Sequence, residues 1–105
     1  MTIFHIATAA DWERARADGS YTTSTLGVSL EQQGFIHASR AEQWPDVRDR
    51  IYAGCTEPLV LLEIEPAQLG CPVVEEVAAP GTTETFPHVY GPLPPAAVLA
   101  VTPLT

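Results

Sequence analysis

Pro58-Leu59-Val60-Leu61-Leu62-Glu63-Ile64 is an almost unbroken apolar run, with a proline at its start and Pro66 just beyond its end. A strand-length run that does not alternate between polar and apolar residues is buried on both faces, so this segment reads as a central strand. Downstream, Pro66–Gly70 holds a turn of helix at most, and Pro72–Val77 reads as a further strand. Ala79-Pro80-Gly81 predicts a turn, Glu84–Val89 a strand paired with a neighbour, Tyr90–Pro95 a stiff loop, and Ala97–Thr102 a last strand.

Upstream, Thr2–Ala7 is a short β-rich segment that predicts the first strand. The cap-like residues Thr8–Asp11 lead into a short helix over Trp12–Ala17, stopped at Asp18-Gly19. Ser20–Thr25 reads as extended or loop, and Leu26–Gln33 fits neither period. Gly34 then opens GFIHAS, read as a second buried strand. Across Arg40–Tyr52, residues Trp44, Val47, Arg48 and Ile51 fall on one stripe of an amphipathic helix. Ser39 is its expected N-cap, with Glu42 completing a capping box. Pro45 makes the first turn irregular or marks where the helix proper begins. The sum is an α+β fold: one domain over residues 1–105, with about five or six strands and two helices, both in the first half.

Composition bounds the function. A chain of 105 residues, 46% hydrophobic and 17% charged, buries a core of its own. Its longest apolar run is far short of the roughly 18–20 residues that span a bilayer. The N-terminus lacks a basic region followed by an apolar segment, so the expectation is a soluble cytoplasmic protein with no membrane partner. Thirteen acidic residues oppose five arginines and no lysine, a net charge of −8. Nucleic-acid binding needs clustered cations and is disfavoured, while one arginine in a pocket still suffices for a small phosphate. Cys55 and Cys71 form no CxxC pair and read as reduced packing residues. Trp12 and Trp44 read as packing residues too.

The three histidines are the residues that need an explanation. His5 lies in IFHIA, His37 in GFIHAS and His88 in FPHVYG, all in strand-like apolar surroundings. A buried imidazole is unfavourable unless both ring nitrogens find partners. Taken singly, each reads as a satisfied core residue; three in one small domain point to a common cleft. One form of that cleft is a zinc hydrolase site, although no HxH or HExxH pair is present to hold two ligands on one element. Another is a pocket for a nucleotide-like molecule, with Ser39 and Arg40 near a helix N-terminus for an anion and Tyr90 offering a hydroxyl and a ring. A third reading makes the domain a non-catalytic interaction or ligand-binding module with structural histidines.

IFHIA, DWE and Gly19-x-Tyr21, followed by GFIHAS, PLVLLEI and FPHVYGPLP, together resemble domain of unknown function 952, from Ile3 to about Val101. GFIHAS alone is similar to the F-[IV]-H-x-S segment of RNA 2′-phosphotransferases, which use NAD. The resemblance implies an ADP-ribosyltransferase-like fold, a split and strongly curved β core enclosing an NAD cleft. It implies that His5 hydrogen-bonds the adenosine ribose and that His37, with Ser39 after it, lines the nicotinamide side. His88 falls at or beside the place of the superfamily's catalytic glutamate. No glutamate stands there, and Glu84 lies four residues earlier. The implied catalytic pair is therefore His37 and His88, with His5, Ser39, Arg40 and Tyr90 holding the nucleotide. The expected ligand is NAD or an ADP-ribose-like small molecule.

Overall fold

A computed structural model describes residues 2–78 and 80–104. The chain runs β1 (Ile3–Thr8), α1 (Ala9–Asp18), β2 (Thr23–Thr25), β3 (Val28–Ser29), α2 (Leu30–Gln33), β4 (Ile36–His37), α3 (Trp44–Ile51), β5 (Leu59–Ile64), β6 (Val73–Val77), β7 (Thr85–Val89) and β8 (Val98–Pro103). Short 3-10 turns at Pro66–Gln68 and Pro95–Ala97 precede β6 and β8. The fold is α+β, as expected, but the described residues hold eight strands rather than five or six and three helices rather than two. The additions are short elements from the ambiguous stretch Ser20–Gln33, too brief to carry a period. The expected turn at Ala79-Pro80-Gly81 includes a residue outside the described ones.

Two three-stranded antiparallel sheets carry the architecture. One has the order β1-β5-β8 and the other β4-β7-β6, while β2 and β3 form a small hairpin. As the apolar run predicts, β5 is central, and both of its faces are covered. Val60, Leu62 and Ile64 join the larger core, with Ile3, Trp12, Tyr21 and Val89. Leu59 and Leu61 pack on the other face, with Ile6 and Tyr52 and with Phe4, Trp44 and Val47 at the margin. Burial on two sides is what removes the polar alternation from this strand.

The two sheets meet at one seam. Phe4 and Ser39 form an isolated antiparallel bridge, with Phe4 N–H donating to Ser39 O at 2.8 Å and Ser39 N–H to Phe4 O at 2.7 Å. Ser39 is thereby held extended and is not the N-cap of the following helix. A turn over Arg40–Gln43 intervenes, and α3 starts at Trp44 with Pro45 in its first turn, where a missing N–H is tolerated. Gln43, 3% exposed, stands at the N-cap position and ties the preceding turn to β7 rather than capping the helix: its Oε1 accepts from Arg40 N–H, and its Nε2 donates to Glu84 and to Thr85 O. Glu42 pairs with Arg40 at 2.9 Å and closes no capping box.

Elsewhere local signals act as read. Thr8 caps α1 by accepting from Asp11 N–H, and Gly19 ends it at φ +83°, where a side chain would be strained. Cys55 and Cys71 are free. Among the described residues no helix is long and apolar enough to cross a membrane.

The central role of β5 is measurable. Leu62 is fully buried, whereas Leu99 on β8 is 60% exposed. Leu62→Ala is expected to lower unfolding free energy by about 2–5 kcal/mol in denaturant titration. Leu99→Ala is expected to change it by no more than about 0.5 kcal/mol. Equal effects would contradict the assignment.

Candidate functional site

A cavity of about 380 Å³ opens beside the seam, bounded by β1, α3 and the β4-β7-β6 sheet. Its walls are apolar, from Phe4, Ile6, Val47, Ile51 and Phe86. His37, Ser39 and Thr25 bring polar groups to it, and among the described residues Arg50 brings the one formal charge. Among the described residues no aspartate or glutamate lines it, although the chain carries thirteen. Val47, Arg50 and Ile51 reach the cavity together because positions i, i+3 and i+4 share one helix face. Arg50 is exposed and takes part in no ion pair among the described residues.

His5 touches the cavity but is spent inside the protein. Its Nδ1–H donates to His37 O at 2.5 Å, and its Nε2 accepts from the Tyr21 hydroxyl at 2.8 Å. A carbonyl can only accept, so these two contacts define a neutral Nδ1–H imidazole. Burial dominates its titration and lowers it to about 4. Burial likewise raises the Tyr21 phenol, which stays protonated as the donor. His5 is thus a third tie across the seam, and neither of its nitrogens is left for a ribose hydroxyl.

His37 differs. Its ring is half-buried, lines the cavity and makes no hydrogen bond to a described residue. Burial first, and His88 second, lower its titration below the ordinary histidine value, so it faces the cavity as a neutral imidazole. His88, 2% exposed, does not line the cavity. The register pairs His37 with His88 and His88 with Val74 across three strands, which puts them on one face, and the two imidazoles meet edge-on at 5.3 Å between centroids. Phe35 stacks on His88 at 4.0 Å and 14°. His88 Nδ1–H donates to Glu76 Oε1 at 2.8 Å, and the Tyr90 hydroxyl donates to the same oxygen. Those hydrogen bonds, from Tyr90 and then His88, hold the Glu76 carboxyl below its ordinary value.

The three histidines therefore form a linked row, but only His5 and His37 border the cavity. Arg40, expected to fork onto a phosphate, is instead shared between Glu42, Glu75 at 2.8 Å and Thr85 O at 3.1 Å, and it does not line the cavity. Tyr90 lies beside Glu76, also outside it. Among the described residues no three His, Cys, Asp or Glu side chains are arranged to hold a metal ion, so the three-histidine zinc arrangement is not formed.

The family described as protein of unknown function (DUF952) matches residues 6–101. The chain belongs to DUF952. The crystal structure of protein CC0527 from Caulobacter crescentus is 32% identical to this DUF952 chain with a TM-score of 0.83, covering 100% of this chain and 87% of that one. The solution NMR structure of CC0527 is also 32% identical, with a TM-score of 0.75, covering 96% of this chain and 82% of that one. No curated protein matches the sequence.

Arg50 and Glu76 are not among the residues the sequence points to. The signal for Arg50 was its i+3 spacing from Val47, beside the stripe of Trp44, Val47, Arg48 and Ile51. Glu76 is a polar residue in a short strand, and only the pairing of Glu76 with Phe86 shows that it lies diagonal to His88.

The state of His5 makes a pH prediction. The unfolded chain protonates this ring near 6.5 and the folded chain only near 4, so the folded state binds fewer protons between those values. Its contribution to stability is complete above about pH 6.5 and is lost as pH falls toward about 4, roughly 3 kcal/mol in all. The wild-type denaturant midpoint should fall more steeply than that of His5→Gln between about pH 7 and about pH 5. Ring resonances of His5 that titrate near the ordinary value would contradict this.

Proposed function

We propose that the cavity beside the seam binds a small anionic, nucleotide-like molecule of the NAD or ADP-ribose class. The observation that carries the reading is the charge distribution. In a chain of net charge −8, the cavity borders, among the described residues, no carboxylate and one arginine that takes part in no ion pair. Arg50 supplies a guanidinium for phosphate, His37 and Ser39 supply hydrogen-bonding groups, and Phe4 and Phe86 supply apolar surface for a base or ribose. The volume suits one nucleotide-sized half of a dinucleotide, within the range of small-molecule sites. Two sheets meeting at a seam with a cleft beside it support an ADP-ribosyltransferase-like arrangement.

Within this reading His37, rather than His5 or His88, is the histidine that meets ligand first, and Arg50 takes the role expected of Arg40. Breaking a nicotinamide–ribose bond develops an oxocarbenium-like cation, which a carboxylate would stabilise directly. With none bordering the cavity, binding is better supported than ADP-ribosyl transfer. A catalytic role for His37 and His88 would be acid–base.

Titration with ADP-ribose and with NAD tests the reading. The His37 ring resonances should move at about millimolar ligand, and Arg50→Ala should weaken binding by roughly ten- to a hundredfold, as expected for a charge-assisted hydrogen bond. Arg40→Ala should leave affinity unchanged. No movement of His37, or equal loss in both arginine variants, would contradict the proposal.

A further inference from the structure

One buried polar atom near the cleft has no partner. His88 Nε2 is inaccessible to solvent and makes no hydrogen bond to a described residue, while the opposite ring nitrogen is held by Glu76. An unmade hydrogen bond on a buried imidazole is unfavourable, and native interiors avoid it. The ring is also unusually well oriented. Glu76 accepts from Nδ1–H, Tyr90 braces the same carboxylate oxygen, and β6 and β7 fix both partners in register. With the proton on Nδ1, Nε2 presents a lone pair.

Phe35 is what covers this ring, and it stands at the end of its strand. It lies just outside the β4 ladder, after Gly34 at φ +95° and after α2, a one-turn helix with no fully buried residue. Residues beyond the end of a ladder open at lower free energy than the core strands. His37, two residues along on the same face, already lines the cavity, so displacing Phe35 would extend the cavity toward His88.

We propose that Glu76 is a positioning residue that sets His88 Nε2 as a hydrogen-bond acceptor for a ligand hydroxyl, and that Phe35 is the removable cover over it. The ligand chemistry that follows is a hydroxyl-bearing group, such as a ribose, delivered next to His37. The inference rests on the cavity being a ligand site, and its test separates the two.

Two measurements need no ligand. Nitrogen-resolved NMR at neutral pH should show His88 as the Nδ1–H tautomer in the wild type, and Glu76→Ala should move population to the Nε2–H tautomer. Carbethoxylation by diethylpyrocarbonate, mapped by peptide mass, should be slow at His88 in the wild type and faster by about tenfold or more in Phe35→Ala, with Phe35→Leu as the milder variant. A wild-type proton on Nε2, or a His88 that stays protected in both Phe35 variants, would overturn the inference. Added ADP-ribose should then slow the reaction at His88 in Phe35→Ala. If ADP-ribose protects His37 but not His88, the cavity reading stands and this inference falls. If it protects neither while the tautomer and exposure behave as expected, the ADP-ribose reading falls and the Glu76–His88 arrangement stands.

Discussion

Two backbone hydrogen bonds between Phe4 and Ser39 join the protein's two main sheets, and the rest of the architecture depends on them. The His5 imidazole doubles the joint by donating to His37 O while Tyr21 satisfies its other nitrogen. A typical hydrogen bond contributes about 1 kcal/mol net, but leaving a buried partner unmade costs about 1–3 kcal/mol. The seam is therefore specified as much by what breaking it would orphan as by what it gains. It also shapes the cavity: with β1 and β4 fixed edge to edge, His37 and Ser39 are held at a wall that α3 faces from the other side.

Charge is partitioned around that cavity. Acidic residues on β6 and in the loops are engaged at the surface: Glu75 with Arg40 and Thr85, Glu76 with His88 and Tyr90, and Glu84 with Gln43. Arg40, the basic residue nearest the seam in sequence, is consumed by this network. Arg50, in the last turn of α3, is left to face the cavity. An acidic chain thus keeps a guanidinium at the border of this cavity while its carboxylates lie elsewhere.

Much of the frame is legible in the amino-acid sequence. Pro58–Ile64 reads as a central strand because burial on both faces suppresses alternation, and Gly19 ends α1 because a left-handed position favours glycine. The stretch Thr22–Gln33 is not legible, since its strands have two or three residues and its helix four, shorter than any usable period. Ser39 misleads because a serine before a helical stripe is a natural cap, yet it is drawn into the seam by a partner 35 positions away. Such pairing is long-range and leaves no local trace. For the site, the strand surroundings of the histidines point to burial, and their linkage follows. Which of the three faces open space depends on register and on Phe35, neither of which spacing encodes.

The seam itself is open to direct test by amide hydrogen exchange. Phe4 and Ser39 N–H should exchange as slowly as the β1–β5 ladder amides of His5 and Leu62, because the bridge can open only when the sheets part. Exchange of Phe4 and Ser39 at free-loop rates, with the β1–β5 ladder still protected, would show that the sheets are not joined there and that the cavity has lost its wall.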